Sequence, residues 1–267
     1  SLSIDHLDCW NPSEISWTGR DDGLPNERFH HLTKALAWNQ LNEHQKGKHA
    51  LLGFCSDEGV KRNLGRIGAS KGPLKLRESF KNLALDPHFK QEILDLGDVC
   101  CHSSDLEKAQ KQLGVAVSHL QTLAMKTVVL GGGHETAWGV CQGLMGLEDL
   151  AIINLDAHFD LRSLLEGGKG SSGTPFWQMA QACGQFQKKF NYTVLGVQAA
   201  ANTSSLFARA DKLGVRYLSA QQIREANGSK TAHHLVDEIL KKHKTVYLSI
   251  CLDVFAQAFA PGVSAPQ

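Results

Sequence analysis

The sequence predicts an α/β protein in which a mainly parallel sheet is covered by helices on both faces. Short apolar segments rich in β-branched residues recur along the chain from residue 49 onward. Between them lie longer stretches in which apolar residues return at helical spacing. Strands that alternate with helices in this way pair in parallel and bury both faces of their sheet. We therefore expect a three-layer α/β/α architecture.

The individual elements follow from local composition. Short apolar runs predict strands at 50–54, 93–96, 126–130, 150–155, 192–197, 215–218 and 245–250. Amphipathic spacing predicts helices at 73–83, 105–125, 136–144, 204–212 and 231–242, with a further helix expected around 28–41. Residues 56–72 and 166–175 are glycine-rich and polar, which predicts loops. Pro73 and Pro175 suit the first turn of the helices that follow these loops. We expect residues 1–267 to form a single domain, with residues 1–45 as an N-terminal extension.

Bulk composition excludes several classes of protein. The chain has 267 residues, 42% of them hydrophobic, and 28 Lys and Arg against 27 Asp and Glu. This balance gives no basic excess for nucleic acid, and no run approaches the 18 apolar residues of a membrane span. The seven cysteines are scattered and form no Cys-x-x-Cys pair, and the first ten residues do not resemble a signal peptide. We expect a reduced, cytoplasmic protein.

A cluster of metal-binding residue types follows the strand predicted at 150–155. Asp156, His158 and Asp160 alternate within five residues. In an extended backbone, residues two apart share a face, so these three side chains would point to one place. Carboxylate oxygen and imidazole nitrogen suit a hard or borderline divalent cation. Taken alone, the cluster is also compatible with a polar loop that caps the next helix.

Two other predicted strands end in similar residues. The strand at 126–130 leads through three glycines to His134, and the strand at 245–250 leads to Cys251 and Asp253. Parallel sheets place ligands at the carboxyl ends of their strands. Six candidate ligands exceed one tetrahedral site and suit two metal ions that share bridging ligands and activate a water molecule. A phosphate-binding turn is the rival interpretation of the glycines before His134, but neither Gly-x-Gly-x-x-Gly nor a P-loop lysine is present.

These three motifs together resemble the metal motifs of the ureohydrolases, the superfamily of arginase, agmatinase and formimidoylglutamase. Their order and spacing carry the resemblance, which covers roughly residues 49 to 267. Five further segments resemble the formimidoylglutamase branch: 57–63, 65–69, 160–162, 171–176 and 260–266.

The resemblance implies an arginase-like α/β/α fold and two Mn²⁺ ions per chain. Carried over to this sequence, His134, Asp156 and Asp160 would bind one ion, and His158 and Asp253 the other. Asp156 would bridge the two ions, and position 251 would supply the second bridge. The reaction implied is hydrolysis of N-formimino-L-glutamate to L-glutamate and formamide, a step of histidine breakdown, with Asp160 as the catalytic proton carrier.

The substrate of that reaction carries two carboxylates, so cationic and hydroxyl donors are expected around it. Arg162 follows Asp160 by two residues and can bind a carboxylate through two parallel hydrogen bonds. Ser171 and Ser172 are expected to add hydrogen bonds, and Arg62, Asn63 and Arg66 lie in another strand-end loop. For these arginines, surface salt bridges or solvated charges are the alternative interpretation.

The sequence departs from the superfamily pattern in three places. Cys251 stands where the family has Asp, and a thiolate is softer than Mn²⁺ prefers; its alternative role is that of a small buried hydrophobe. Ser172 replaces the histidine to which arginase-type members owe proton shuttling. The chain ends at Gln267, where relatives continue, so its C-terminal end is expected to be truncated.

Two other functions stay open at this point. Another ureohydrolase, such as agmatinase or guanidinobutyrase, would act on a substrate with a cationic tail, which Arg162 disfavours. A metal-deficient, non-catalytic relative would explain Cys251. The resemblance is compatible with a homo-oligomer, because the family is often oligomeric.

Overall fold

A computed structural model describes residue 8 and residues 10–263, and this part of the chain divides into two compact units. The first unit contains the described residues up to 59 together with 67–144. The second contains residues 60–66 and the described residues from 145 onward. Each unit has its own hydrogen-bonded sheet.

The sheet of the first unit has five strands. They are β1 (Trp10–Asn11), β2 (Thr33–Ala35), β3 (His49–Cys55), β4 (Ile93–Cys100) and β5 (Lys126–Gly131). The order is β1-β4-β3-β5, and β2 also pairs with β4. All these pairs are parallel except β1 with β4. The helices of this unit are α1 (Phe29–Leu32), α3 (Gly72–Phe80), α4 (Leu106–Thr122) and α5 (Thr136–Leu144), and helix α2 (Glu58–Arg62) begins in this unit and ends among the residues of the second.

Helices cover both faces of this first sheet. On one face, Leu51 of β3 packs in a cluster with Leu76 and Phe80 of α3. Ala50 and Leu52 point to the opposite face and are also buried. The long helix α4 contacts β4 and β5 and packs against α5. Burial on both faces of the sheet thus explains why the apolar runs in its strands are continuous and do not alternate with polar residues.

The second unit has a four-stranded parallel sheet. Its strands are β6 (Leu150–Leu155), β7 (Asn191–Val197), β8 (Arg216–Ser219) and β9 (Thr245–Ile250), in the order β8-β7-β6-β9. Its helices are α6 (Pro175–Gln185), α7 (Ser204–Lys212), α8 (Ala220–Arg224) and α9 (Gly228–Lys242). The central strand β6 therefore has β7 on one side and β9 on the other.

This second sheet is also covered on both faces. Ile153 and Leu195 pack in a cluster with Ile239 of α9. On the opposite face, Tyr192 of β7 stacks on Phe176 of α6, with ring centroids 4.4 Å apart. The side chains of β6 therefore alternate between two buried layers. This arrangement places the ends of β6 and β9 side by side at one edge of the sheet.

The predicted strands and most predicted helices agree with the structure. Helices α5 and α7 and strand β9 have the predicted bounds. The helix expected at 28–41 is wrong: α1 ends at Leu32, and Thr33–Ala35 is a strand that pairs in parallel with β4. Tertiary pairing outweighs local helical propensity there. The loop expected at 56–72 contains helix α2, and its last residue, Gly72, begins α3.

Candidate metal centre

Three of the predicted ligands meet at the ends of β6 and β9 in the second unit. Asp156, His158 and Asp253 each offer one ligand atom, and these atoms lie within 4.8 Å of one another. His158 Nδ1 lies 2.9 Å from Asp253 Oδ2 and 3.6 Å from Asp156 Oδ1. Asp156 is completely buried, and Asp253 is 6% exposed. Two buried carboxylates and one half-buried imidazole form a donor set that a divalent cation accepts.

Backbone and side-chain donors hold the two carboxylates in place. Asn154 Nδ2 donates to Asp156 Oδ2 over 2.9 Å, and the His158 amide donates to Asp156 Oδ1 over 2.8 Å. The Ala157 amide donates to Asp253 Oδ1 over 3.1 Å. Such outer contacts orient ligands before a metal arrives.

The local electrostatics leave an excess of negative charge at this place. Burial lowers the pKa of His158, but hydrogen bonds with Asp156 and Asp253 raise it to about 10. A protonated imidazole can therefore bridge the two buried carboxylates when no metal is bound. A bound cation would take over that neutralising role, because metal and proton compete for the same nitrogen lone pair. The residues present thus fit a divalent cation.

The sequence predicts that an extended strand brings these side chains together. In the structure they converge through turns instead. Strand β6 ends at Leu155 and β9 ends at Ile250. Residues 157–158 form a bend, and Asp253 lies in a short 3-10 turn, Leu252–Val254. The predicted convergence of Asp156 and His158 is present, but a bend and not an extended backbone produces it.

Asp160 lies near this group without belonging to it. Its backbone has φ +50°, a left-handed conformation that few non-glycine residues adopt. It is 8% exposed, and its charge raises the pKa of His158. Its roles as a ligand and proton carrier stay predictions.

Cys251 occupies the position between the end of β9 and the turn that carries Asp253. Its amide donates to Leu155 O over 2.9 Å, which continues the ladder from β9 to β6. Its Sγ lies within 4.8 Å of a ligand atom of Asp156. Cys251 is half-buried, so the structure brings it close to the candidate centre, whereas ligation by its thiolate stays a prediction.

His134 follows β5 in the first unit, in a loop that the glycines shape. The Gly132 amide donates to Phe54 O over 3.1 Å, and the Gly133 amide donates to Ser56 O over 2.9 Å. A Cβ at Gly132 would lie 2.4 Å from Ser56 O, so a larger residue would force the loop away from β3. The glycines before His134 thus serve close backbone packing. Its role as a ligand stays a prediction.

Glu135 is a residue that the sequence analysis missed. It is completely buried, and its Oε1 accepts hydrogen bonds of 3.0 Å from Ser56 Oγ and from the Gly59 amide. Burial raises its pKa to about 7, although these hydrogen bonds lower it. The sequence signal that could have identified Glu135 is its position directly after the candidate ligand His134. Asn154 was also missed. The sequence signal for it is a polar amide within strand β6, whose other residues are apolar.

The loop that carries the predicted substrate donors belongs to the second unit. Arg162 is exposed, and its amide donates to Gly173 O over 2.9 Å. A Cβ at Gly173 would lie 2.8 Å from Arg162 Cδ and 3.3 Å from Asn63 Oδ1, so these two side chains approach the same glycine. The structure therefore brings Arg162 and Asn63 together.

The remaining predicted donors differ in their availability. Ser171 is 2% exposed, and its hydroxyl accepts a 3.3 Å hydrogen bond from the Gly173 amide, which shapes the loop. Ser172 is half-buried. Arg62 donates to Gly170 O over 3.0 Å, and Arg66 donates to Val263 O. Arg62 and Arg66 therefore each donate one hydrogen bond to a backbone carbonyl. Substrate binding by the serines and arginines of this paragraph stays a prediction.

The sequence matches a known family over most of its length. The sequence model of the Arginase family matches residues 48–267. The chain belongs to the arginase family. A formimidoylglutamase from Legionella pneumophila (strain Lens) is 42% identical over 267 residues, which cover 99% of this chain and 82% of the relative. A formimidoylglutamase from Clostridium tetani is 37% identical over 279 residues, covering 100% of this chain and 81% of the relative. The resemblance inferred from the motifs, including its formimidoylglutamase branch, is confirmed.

Solved structures of the family confirm the predicted fold class. Formimidoylglutamase from Bacillus subtilis has a TM-score of 0.77 at 22% identity, over 99% of this chain and 80% of its own. Formiminoglutamase from Trypanosoma cruzi, solved with Mn²⁺, has a TM-score of 0.74 at 25% identity, over 84% of this chain and 76% of its own. This chain is accordingly a family hydrolase with candidate groups for metal binding. No helix in the described part of the chain has the length and apolar character needed to cross a bilayer.

Proposed function

We propose that this chain hydrolyses N-formimino-L-glutamate to L-glutamate and formamide. The observation that carries the proposal is the Asp156–His158–Asp253 group, which lies at the end of a parallel sheet with both carboxylates buried, in a chain similar to formimidoylglutamases. Buried carboxylates around an imidazole need a cation, and a cation at this place supplies what hydrolysis of a C–N bond requires.

We propose two Mn²⁺ ions as the cofactors. Asp156 would bridge them; His134 and Asp160 would complete one coordination sphere, and His158 and Asp253 the other. Cys251 would occupy the second bridging position. When bound, such ions lower the pKa of a coordinated water, so that hydroxide is available near neutral pH. The donor chemistry supports this choice, because carboxylate and imidazole suit Mn²⁺.

The other residues would bind the substrate and move the proton. Asp160 would accept the proton that the attacking water loses and pass it to the leaving amine, which its position beside His158 supports. Arg162 and Asn63, both adjacent to Gly173, would bind a substrate carboxylate. Ser172 and Arg66 would add polar contacts around it.

The decisive experiment combines metal analysis with a product assay. The purified chain loaded with Mn²⁺ is expected to release formamide and glutamate in equal amounts from N-formimino-L-glutamate. In Asp156→Asn, which removes the shared carboxylate charge at constant size, metal content and activity should fall, activity by more than about 100-fold. Asp237→Asn, an exposed carboxylate on α9, is the matched control and should leave both unchanged.

Three results would contradict the proposal. Preferred turnover of agmatine or guanidinobutyrate would assign the chain to another ureohydrolase. Less than one ion per chain without activity would indicate a non-catalytic relative. Full activity in Asp156→Asn would remove the candidate centre from the reaction.

We also propose a cellular location, a class of partner and an oligomeric state for this protein. The six cysteines within the described residues form no disulfide, which supports a reducing, cytoplasmic location. The substrate is a small dicarboxylate, so neither nucleic acid nor a membrane is needed as a partner. We also propose a homo-oligomer on the family resemblance, and light scattering of the purified protein tests it.

A further inference from the structure

Two cysteines lie side by side where strands β3 and β4 end in the first unit. Cys55 and Cys100 are in register on these parallel strands. Residues in register on neighbouring strands project to the same face of a sheet. Neighbouring strands lie about 4.8 Å apart, which falls within the separation of about 4.4–6.8 Å that disulfides require between Cα atoms. The backbone therefore satisfies the first condition for a disulfide.

The surroundings of the two sulfur atoms differ. Cys100 Sγ accepts a hydrogen bond of 3.2 Å from Asn11 Nδ2, and the Cys55 and Cys100 thiols are hydrogen-bonded to each other. The bond with Cys55 is the main reason why the pKa of Cys100 is lowered, whereas the same bond raises the pKa of Cys55. Because the Asn11 amide donates to Cys100 Sγ, it stabilises a thiolate at Cys100, which makes Cys100 the candidate nucleophile of the pair.

Access separates this pair from two of the other cysteines. Cys55 and Cys100 are half-buried, as are Cys101 and Cys251, so a small reagent can approach them. Cys141 and Cys183 are buried, with exposures of 0% and 3%. Cys101 follows Cys100 in the chain, and its amide donates to Cys55 O over 3.0 Å. Because neighbouring residues of an extended chain point to opposite faces, Cys101 is poorly placed to bond with Cys55.

We propose that Cys55 and Cys100 form a redox-active pair that a hydroperoxide converts into a disulfide. The Cys100 thiolate attacks the terminal peroxide oxygen, the O–O bond breaks, and the alcohol leaves after taking up a proton. Cys100 becomes a sulfenic acid, so its sulfur is oxidised while the peroxide is reduced. The Cys55 sulfur then attacks this sulfenic sulfur, an S–S bond forms, and water leaves with the Cys55 proton. In sum, two thiols and one hydroperoxide give one disulfide, one alcohol and one water.

The bond would tie β3 to β4 directly before Ser56. Ser56 donates to Glu135, the residue after His134. The proposal itself is independent of the proposed reaction, because it concerns only the two sulfur atoms and an added peroxide.

Peptide mapping of the oxidised protein tests the proposal. The Cys9→Ser background is used, since Cys9 lies outside the described residues. After treatment with equimolar cumene hydroperoxide and alkylation of free thiols, non-reducing mass spectrometry is expected to find the Cys55 and Cys100 peptides linked. The link should vanish in Cys55→Ser and in Cys100→Ser and persist in Cys101→Ser, the matched control. Dimedone, which traps sulfenic acids, should label Cys100 in the Cys55→Ser variant.

Several results would overturn the assignment. A link that joins Cys101 to either partner would show that the register does not select the pair. Oxidation of Cys100 to sulfinic acid without a link would show that Cys55 cannot reach it. Dimedone labelling of Cys55 in Cys100→Ser, faster than that of Cys100 in Cys55→Ser, would reverse the roles. Circular dichroism of each variant confirms that these comparisons are made on folded protein.

Discussion

At the scale of single residues, position 251 is where this chain departs most from the chemistry of its family. The motif resemblance leads one to expect Asp, and Cys251 Sγ lies within 4.8 Å of a ligand atom of Asp156. A thiolate is softer than a carboxylate and a poorer partner for Mn²⁺. Cys251 therefore lies close to the candidate centre, but its sulfur is not the donor atom that Mn²⁺ prefers.

Replacing this thiol with a carboxylate should strengthen manganese binding. We expect Cys251→Asp to hold Mn²⁺ about tenfold more tightly, because a second bridging carboxylate supplies hard oxygen donors. Titration of the metal-free protein with Mn²⁺ measures the change. Cys251→Ser, which removes the thiol without adding charge, should not gain affinity. Equal affinities for the wild type and Cys251→Asp would place this side chain outside the centre.

At the scale of elements, the start of helix α2 is fixed by a single buried side chain. Glu135, which follows the glycine loop after β5, accepts hydrogen bonds from Ser56 and from the Gly59 amide. A Cβ at Gly59 would lie 2.5 Å from Glu135 Cδ, which is so close that one of the two residues would have to move. The contact therefore requires glycine at position 59 for space rather than for backbone freedom.

The substitution Gly59→Ala should destabilise the protein by about 1–3 kcal/mol, the usual cost of inserting a methyl group into a filled interior. Urea unfolding monitored by fluorescence gives the free energy of unfolding. Gly184→Ala is the matched control, because Gly184 also lies in a helix and has open space around its Cβ position. That control should be neutral or stabilising by up to about 1 kcal/mol. Equal stabilities for the two variants would contradict the packing argument.

At the scale of the whole molecule, one buried ionic network in the first unit connects segments that lie far apart in the sequence. Arg77 of α3 is 1% exposed and donates to Asp98 over 2.6 Å and to Asp95 over 2.9 Å. Trp17 Nε1 also donates to Asp95, over 2.9 Å. The network therefore joins α3, strand β4 and the N-terminal segment. Arg77 is the cation that both buried carboxylates share.

Removing the cation of this network should be costly. Arg77→Ala leaves two carboxylates facing an apolar interior, and we expect a loss of about 3–5 kcal/mol in the free energy of unfolding. Lys75→Ala on the same helix is the control, because Lys75 and Glu78 form an exposed pair worth about 0.5 kcal/mol or less. Chemical unfolding of both variants makes the comparison. A loss below about 1 kcal/mol in Arg77→Ala would show that water reaches the network.

The first unit also contains a pH-dependent contribution to stability. Hydrogen bonds with Lys34 and Lys48 lower the pKa of Glu92, whose carboxylate lies 2.6 Å from each ammonium nitrogen. Since its pKa is lower in the folded state, Glu92 stabilises the fold above its unfolded pKa. This stabilisation is lost as the pH falls through the folded value.

We therefore expect Glu92→Gln to lower the thermal midpoint at about pH 7 and to match the wild type more closely near about pH 4. Thermal unfolding over this pH range measures the difference. When Lys34→Gln and Lys48→Gln are also present, the thermal midpoints with Glu92 and with Glu92→Gln should no longer differ in a pH-dependent way. A constant difference across the range would assign the effect of Glu92 to packing.

Much of the fold and of the site follows from local sequence. Strand β9 and helices α5 and α7 were predicted with their bounds, because apolar periodicity directly records which faces are buried. Asp156, His158 and Asp253 were identified from residue types at strand ends, where a parallel sheet places ligands. The family follows from the same motifs, since three of them stand in the right order.

Other features depend on residues far apart in the chain and were decided by tertiary structure alone. Thr33–Ala35 is a strand because it pairs with β4, about sixty residues later. Asp253 reaches His158 through a turn, and Glu135 is buried because Ser56 and Gly59 bind it. Local sequence thus determined which segments are strands and helices and which residue types could bind a metal. The partner of each buried charge was fixed only by folding, because a hydrogen bond depends on distance in space and not on separation along the chain.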